Sequence, residues 1–379
     1  MNLEAYVESQ RGFCVDVFNA LTTTDTKEKN IMFSPYSLSN VLFMLQVGAR
    51  GSTAKQIKTC LKVVDCNDYH LKNRSLQMAL TPKEGEKKYA LRTFNTIFAD
   101  GQYKIENDYM DLIEAFYGGG FYSVDFMNNA VSVCTEINKW VSRNTDGLIT
   151  DLISNLDSMV KLVIVNAIYF KGKWETTFNP LYPTLQPFRT SDGLVKKVDM
   201  MFQSTHLRYY RDTDCQILQI PYEYGASMYI ILPSSSQNDT TMMQILMTAD
   251  RLAKWNQIFA KAYRSLINLW LPKLKIDYTF PLKEIMMKLN MTDMFDARKA
   301  NLSGLAVHLH VTDGIQKVVL DIDEEGTVAA AASAMSCGLL CSRPQPIDFK
   351  VDRPFLFMIR DDATGLDLFL GSVTDPDTK

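Results

Sequence analysis

Nine residues, Leu162–Phe170, read Leu-Val-Ile-Val-Asn-Ala-Ile-Tyr-Phe and are apolar at every position but Asn166. A strand sends successive side chains to opposite faces, so so short and uniformly apolar a run predicts a strand covered on both. Lys317-Val-Val-Leu-Asp-Ile-Asp323 alternates and predicts a strand with one favoured face. Phe349–Phe355 followed by Leu356–Ile359 gives another strand signal, and Gly12–Leu21 has the spacing of an amphipathic helix. Between the last two strand signals lies Glu324-Glu-Gly-Thr-Val-Ala-Ala-Ala-Ala-Ser-Ala334, then the mixed segment Met335–Arg343. Alanine is the best helix former, so Val328–Met335 in isolation would be a buried helix. Flanked by two strands, the stretch reads instead as an exposed connection. Its small uncharged side chains suit a segment that enters the middle of a sheet, where charge or bulk is costly.

Distinct short motifs are spread along the whole chain. Asn30-Ile-Met-Phe-Ser-Pro-Tyr-Ser37, Gly48-Ala-Arg-Gly-Ser-Thr-Ala54, Ile137–Gly147, Leu162–Trp174, Leu271-Pro-Lys-Leu-Lys275, Met294-Phe-Asp296, Asp352-Arg-Pro-Phe355 and Phe369-Leu-Gly371 follow in that order. With the Ala-rich stretch they resemble the serpin family, and its intracellular, ovalbumin-like branch in particular. The resemblance implies an α+β fold with three β-sheets and about nine helices. It implies a single domain over 1–379, with a reactive-centre loop at about 324–346.

The resemblance further implies a suicide inhibitor of serine proteases. The target attacks the loop as substrate and forms an acyl-enzyme. The freed arm then inserts as a new central strand, and the protease is held as a covalent complex. Family spacing counted from Glu324 puts the reactive bond at Leu340–Cys341. Leucine suits the apolar pockets of chymotrypsin-like and some elastase-like enzymes. Arg343 is the rival residue and would turn the inhibitor toward trypsin-like targets, but Pro344 makes that bond a poor substrate. The hinge comprises Glu324, Glu325, Gly326, Thr327, Val328, Ala329, Ala330, Ala331 and Ala332. Gly326 gives the turn its backbone freedom. Thr327, Ala329, Ala331 and Ser333 would face the core after insertion. Val328 stands where the family commonly has glutamate. Ser34, Ser37, Asn166, Gln316 and Trp174 form the sheet-opening region, with Gln316 where the family usually has histidine; glutamine both donates and accepts, so the network is expected to persist. Self-polymerisation is an expected side reaction. The alternative is a non-inhibitory carrier, chaperone or storage serpin, against which the uncharged hinge speaks.

Composition narrows the rest. A hydrophobic share of 46% supports one large core, and no linker or repeat divides the chain. The formal net charge of −3 and the lack of a basic block exclude nucleic acid as a partner. Lys83, Lys87 and Lys88 read as a solvated loop rather than a heparin site. No apolar run reaches membrane-spanning length. Seven scattered cysteines make no disulfide framework, and Met1–Glu8 is too charged for a signal peptide. A cytoplasmic protein is expected; sequons at Asn73, Asn238, Asn290 and Asn301 keep export without a cleaved signal as the alternative. No cofactor motif, phosphate loop or Gly-x-Ser-x-Gly elbow occurs, so no catalytic residue is assigned. Of the four histidines His70, His206, His308 and His310, the last two alternate along a candidate strand and would share a face; no metal site is assigned. Cys337 and Cys341 in an extended loop would be roughly 13 Å apart, too far for a disulfide.

Overall fold

The computed structural model describes residues 3–23, 30–63, 66–81, 89–145, 147–180, 184–234, 240–324 and 345–377. Its helices are α1 Leu3–Thr22, α2 Pro35–Gly48, α3 Gly51–Cys60, α4 Cys66–Leu80, α5 Asn107–Tyr117, α6 Phe126–Asn144, α7 Thr240–Leu246, α8 Ala249–Lys261 and α9 Leu282–Lys288. The strands are β1 Ile31–Phe33, β2 Ala90–Asp100, β3 Phe121–Val124, β4 Leu162–Lys171, β5 Thr184–Arg189, β6 Val195–Arg211 and β7 Cys215–Pro221. They continue with β8 Ala226–Pro233, β9 Arg264–Pro272, β10 Leu274–Pro281, β11 Asp313–Ile322, β12 Ile347–Lys350, β13 Phe355–Asp361 and β14 Asp367–Val373.

Among the described residues the strands form two hydrogen-bonded sheets. One has the order β10-β11-β4-β2-β3; the other runs β1-β14-β13-β8-β7-β6-β9-β12, with β5 on β6. The 17-residue β6 explains why the expected three sheets count as two. Its first part pairs with β5 and β9, and its last four residues, Arg208–Arg211, pair with β7, so one strand belongs to two sheets in turn.

The apolar run at 162–170 is β4, and both its faces are covered. Leu162, Ile164, Ile168 and Phe170 join the main core, while Val163, Val165, Ala167 and Tyr169 join a second cluster beneath α6. Helix α2 runs through the main core with nearly every residue buried. Ser34 caps it, its hydroxyl accepting from Ser37 N at 3.1 Å, and Pro35 occupies the first turn, where its missing N–H costs nothing.

Candidate functional site

The site is the seam between β4 and β11. These strands run parallel, paired from Asp313↔Val163 to Val319↔Tyr169. Above that level β11 continues to Ile322 against β10, and β4 to Lys171 against β2, with no pairing to each other. The seam is therefore splayed at the end where the chain leaves β11.

Midway along the seam three amides stand side by side. Asn95 lies opposite Asn166, and Asn166 opposite Gln316. Gln316 Nε2 donates to Asn166 Oδ1, and Asn166 Nδ2 donates to Asn95 Oδ1. The start of α2 closes the row from above. Ser34 N donates to Gln316 Oε1 at 3.1 Å, and Asn166 Nδ2 reaches Ser37 O at 3.0 Å and Ser37 Oγ at 2.9 Å. Ser37 Oγ donates to Asn95 Oδ1 at 2.8 Å, and Ser34 Oγ to Leu368 O at 2.6 Å. Ser34, Ser37, Asn166 and Gln316 are fully buried, and a polar group in such a place is stable only with partners. Ser34, Ser37, Asn166 and Gln316 thus meet in one buried network. Trp174 does not join them. It sits at the head of the seam, where Nε1 donates to Asp323 O at 2.9 Å and the ring stacks on Tyr222 at 4.2 Å. Asn95 was missed, because its place opposite Asn166 depends on the β2–β4 register.

The start of the connection is anchored just above Trp174. Phe178 N donates to Glu324 O at 2.8 Å, and Lys273 Nζ lies 2.6 Å from Glu324 Oε1. The remaining hinge residues 325–332, Leu340, Cys341 and Arg343 fall outside the described residues, as do Cys337 and Lys83, Lys87 and Lys88.

Two sequence expectations are corrected, the strand at His308 and His310 and the sequon at Asn73. His308 and His310 do not lie on a strand. His308 is in a turn with φ +61°, a left-handed conformation that an extended strand does not hold. Asn73 is fully buried and accepts from Tyr6 OH at 3.1 Å, so this sequon is closed to a glycan in the folded chain. His70 is buried among Phe43, Phe116 and Tyr117, and burial, with Lys58 nearby, lowers its pKa to about 4. Cys14, Cys60, Cys134 and Cys215 are buried and unpaired, and burial pushes their thiols up, to about 12 for Cys60 and Cys215. No helix among the described residues is long and apolar enough to cross a membrane.

Comparison with known proteins gives one answer. The family model for serpins, serine protease inhibitors, matches residues 8–376. A leukocyte elastase inhibitor of Xenopus laevis is 35% identical over 371 residues, covering 96% of this chain and 97% of the relative. Human Serpin B8 is 33% identical, covering 97% and 99%. The crystal structure of human thyroxine-binding globulin superposes with a TM-score of 0.89 at 27% identity, covering all of both chains. The splayed parallel seam, its buried amide row and these matches agree: the chain belongs to the serpin family.

Proposed function

We propose that the chain inhibits chymotrypsin-like and elastase-like serine proteases as a suicide substrate. The observation that carries this reading is the orientation of the seam. β4 and β11 are parallel. A segment that turns back beyond Glu324 runs antiparallel to both, so its entry replaces one parallel pairing with two antiparallel ones. Antiparallel pairing is slightly the more stable per residue, and the number of ladder bonds rises. The free energy for displacing a protease is stored in that difference.

The chemistry belongs to the target. Its serine attacks the Leu340 carbonyl, the bond to Cys341 breaks, and the new amine of Cys341 takes the proton carried by the protease's histidine. Leu340 is left as an ester on the serine. From Thr327 to Leu340 the freed arm has 14 residues, about 46 Å when extended at ~3.3 Å each. The ten residues of β11 match about 33 Å of it, so Leu340 travels past the foot of the sheet with the enzyme attached. Distortion of the protease's oxyanion hole then leaves the ester unhydrolysed. Ser34, Ser37, Asn95, Asn166 and Gln316 hold the seam shut until cleavage, and Trp174 and Glu324 hold its head. The same opening exposes the sheet to another molecule's loop, the route to self-polymerisation.

The elastase named in the relatives agrees with leucine as the residue read by the target. Arg343 remains the rival and a trypsin-like enzyme its reader. The whole chain acts as one domain. The buried unpaired thiols fit a reducing, cytoplasmic setting. The test is incubation with chymotrypsin or neutrophil elastase, followed by a denaturing gel and intact-mass analysis. A covalent complex and a released peptide beginning at Cys341 support the proposal. Cleavage without a complex, for trypsin as well, would establish the non-inhibitory reading instead.

A further inference from the structure

Beneath the head of the seam lies a buried polar group that plays no part in closing it. Tyr222 follows β7, and its backbone is fixed against the chain that leaves β4. Tyr222 and Trp174 form an antiparallel bridge, Glu175 N donates to Pro221 O at 2.9 Å, and Glu223 N donates to Lys173 O at 2.6 Å. The ring is held as closely. It stacks on the Trp174 indole at 4.2 Å and meets Phe170 edge-on at 5.0 Å. Gly172 makes room for it, since a Cβ there would stand 2.9 Å from Tyr222 Cδ1. Tyr222 is buried, and its hydroxyl has no hydrogen-bond partner among the described residues. Burial pushes its pKa well above the ordinary phenol range, so the group stays a neutral O–H.

Other buried phenols are satisfied. Tyr6 OH donates to Asn73 Oδ1 at 3.1 Å, Tyr89 OH to Asp361 Oδ2 at 2.7 Å, and Tyr109 OH to Met44 O at 3.3 Å. An orphaned hydroxyl costs the full desolvation of the group, so each one in a folded chain asks for a cause. Its position supplies one. Phe170, Trp174 and Tyr222 belong to the main core, with Ile164 and Ile168 of β4 and Leu320 and Ile322 of β11. Thr327 is the first residue of the inserting arm that would face this core. Asp323 O is held by Trp174 Nε1 and Glu324 O by Phe178 N, and the three residues from Glu324 to Thr327 span at most about 10 Å. Thr327 therefore enters close to Trp174 and the phenol stacked on it. Ala329 and Ala331 have no hydroxyl, and Ser333 would lie about 20 Å farther down the new strand.

We propose that Tyr222 positions the inserting arm: its hydroxyl has no partner while the loop is intact and hydrogen-bonds to the Thr327 hydroxyl once the arm enters. This rests on the insertion mechanism proposed above and adds a second polar element to it. The amide row is satisfied in the closed seam and so favours it. The phenol is unsatisfied there and favours the inserted state, so the two act in opposite directions on one equilibrium.

Thermolysin, a zinc protease that works through a metal-bound water and forms no acyl-enzyme, is used to cut the loop beyond Thr327, the site being located by intact mass. Guanidinium unfolding at one fixed incubation time is then followed for cut and uncut chains of the parent, Tyr222→Phe, Thr327→Val and the double variant. Phenylalanine keeps the stack on Trp174 and removes only the hydroxyl. In the uncut chain Tyr222→Phe is expected to raise the midpoint by about 0.2 M, through relief of one orphaned group, and Thr327→Val to leave it unchanged. In the cut chain each single variant is expected to lower the midpoint by a similar amount, and the double variant to lose no more than either one. A parent whose midpoint fails to rise on cutting would sink the insertion mechanism and this inference with it. If the parent rises, this inference alone is overturned when Tyr222→Phe leaves the uncut midpoint unchanged, when it shifts cut and uncut chains in the same direction, or when the two single losses in the cut chain add.

Discussion

Replacing Asn166 by alanine tests whether the amide row holds the seam closed. Asn166 donates to Ser37 O, Ser37 Oγ and Asn95 Oδ1 and accepts from Gln316 Nε2. After truncation Asn95 still accepts from Ser37 Oγ, but Gln316 Nε2 keeps only a 3.5 Å approach to Ser34 O. One buried donor is thus orphaned, at about 1–3 kcal/mol, and the lost bonds bring the total to about 2–4 kcal/mol. Unfolding entropy is roughly 2.1 cal/mol/K per residue, so in a chain of 379 residues a loss of about 3 kcal/mol lowers the midpoint by about 4 K. The assay is thermal circular dichroism at one fixed scan rate, because large chains commonly unfold irreversibly on heating and the midpoint then reflects a rate. Native gels of the heated samples follow polymer formation, expected to be faster in the variant. Adding Gln316→Leu removes the orphaned donor, so the double variant should lose less than the two single losses combined. A midpoint shift under about 1 K, or strict additivity, refutes the idea that these amides act as one unit.

Gln316→His places an ionisable group in a row that otherwise has none, and heat-induced polymerisation should become pH-dependent between about pH 5 and 7; a rate as flat with pH as the parent's would count against the network. Leu340→Arg should weaken inhibition of chymotrypsin at least tenfold and create trypsin inhibition, read as second-order rate constants; retained chymotrypsin inhibition would move the reactive bond elsewhere. His70 has a folded pKa of about 4, below its ordinary 6.5, so its contribution is complete above pH 6.5 and is lost as pH falls toward 4, when the unfolded chain binds a proton that the folded one refuses. His70→Phe should therefore flatten the acid limb of stability in that window, by up to about 3 kcal/mol, and an unaltered limb would disprove it. Arg360 Nε and Nη2 lie 2.6 Å from Asp367 Oδ1 in a buried pair, and Arg360→Met should cost about 3–5 kcal/mol in denaturant unfolding, with Arg360→Met/Asp367→Leu recovering most of it; equal losses in both would mean that the unpaired carboxylate is not the cause.

How much of this could be read from the chain depended on whether the cause was local. The strand at 162–170 was legible because burial of both faces writes a continuous apolar run, and the start of α2 because Ser34-Pro35 is a cap followed by a first-turn proline. Ser34, Ser37, Asn166 and Gln316 were reached through family motifs, not through any local pattern. Asn95 was not reached at all: it is one polar residue in a mixed strand until β2 is set against β4. The continuity of two sheets through β6 escaped for the same reason, since pairing partners 40 or more residues away decide where one sheet ends.

The choice of amides for the seam has a physical logic. Leucines at the amide positions would add about 1.5–3 kcal/mol per side chain to the apolar packing already present along β4 and β11, and would also have to be pulled apart before anything could enter. Asn95, Asn166 and Gln316 hold the strands through hydrogen bonds worth only about 0.5–1.5 kcal/mol net each, yet costly to leave unmade. Partial opening is thus penalised, because it orphans several buried groups together. Full exchange is penalised little, because an incoming strand can offer donors and acceptors in return. Such a row resists thermal gaping and would still yield to the inserting strand of the proposed mechanism, entering where the β4–β11 pairing ends at Val319 and Tyr169. Glutamine in place of a titratable ring keeps that property independent of pH, so in the proposed mechanism the trigger is cleavage of the loop and not acidification.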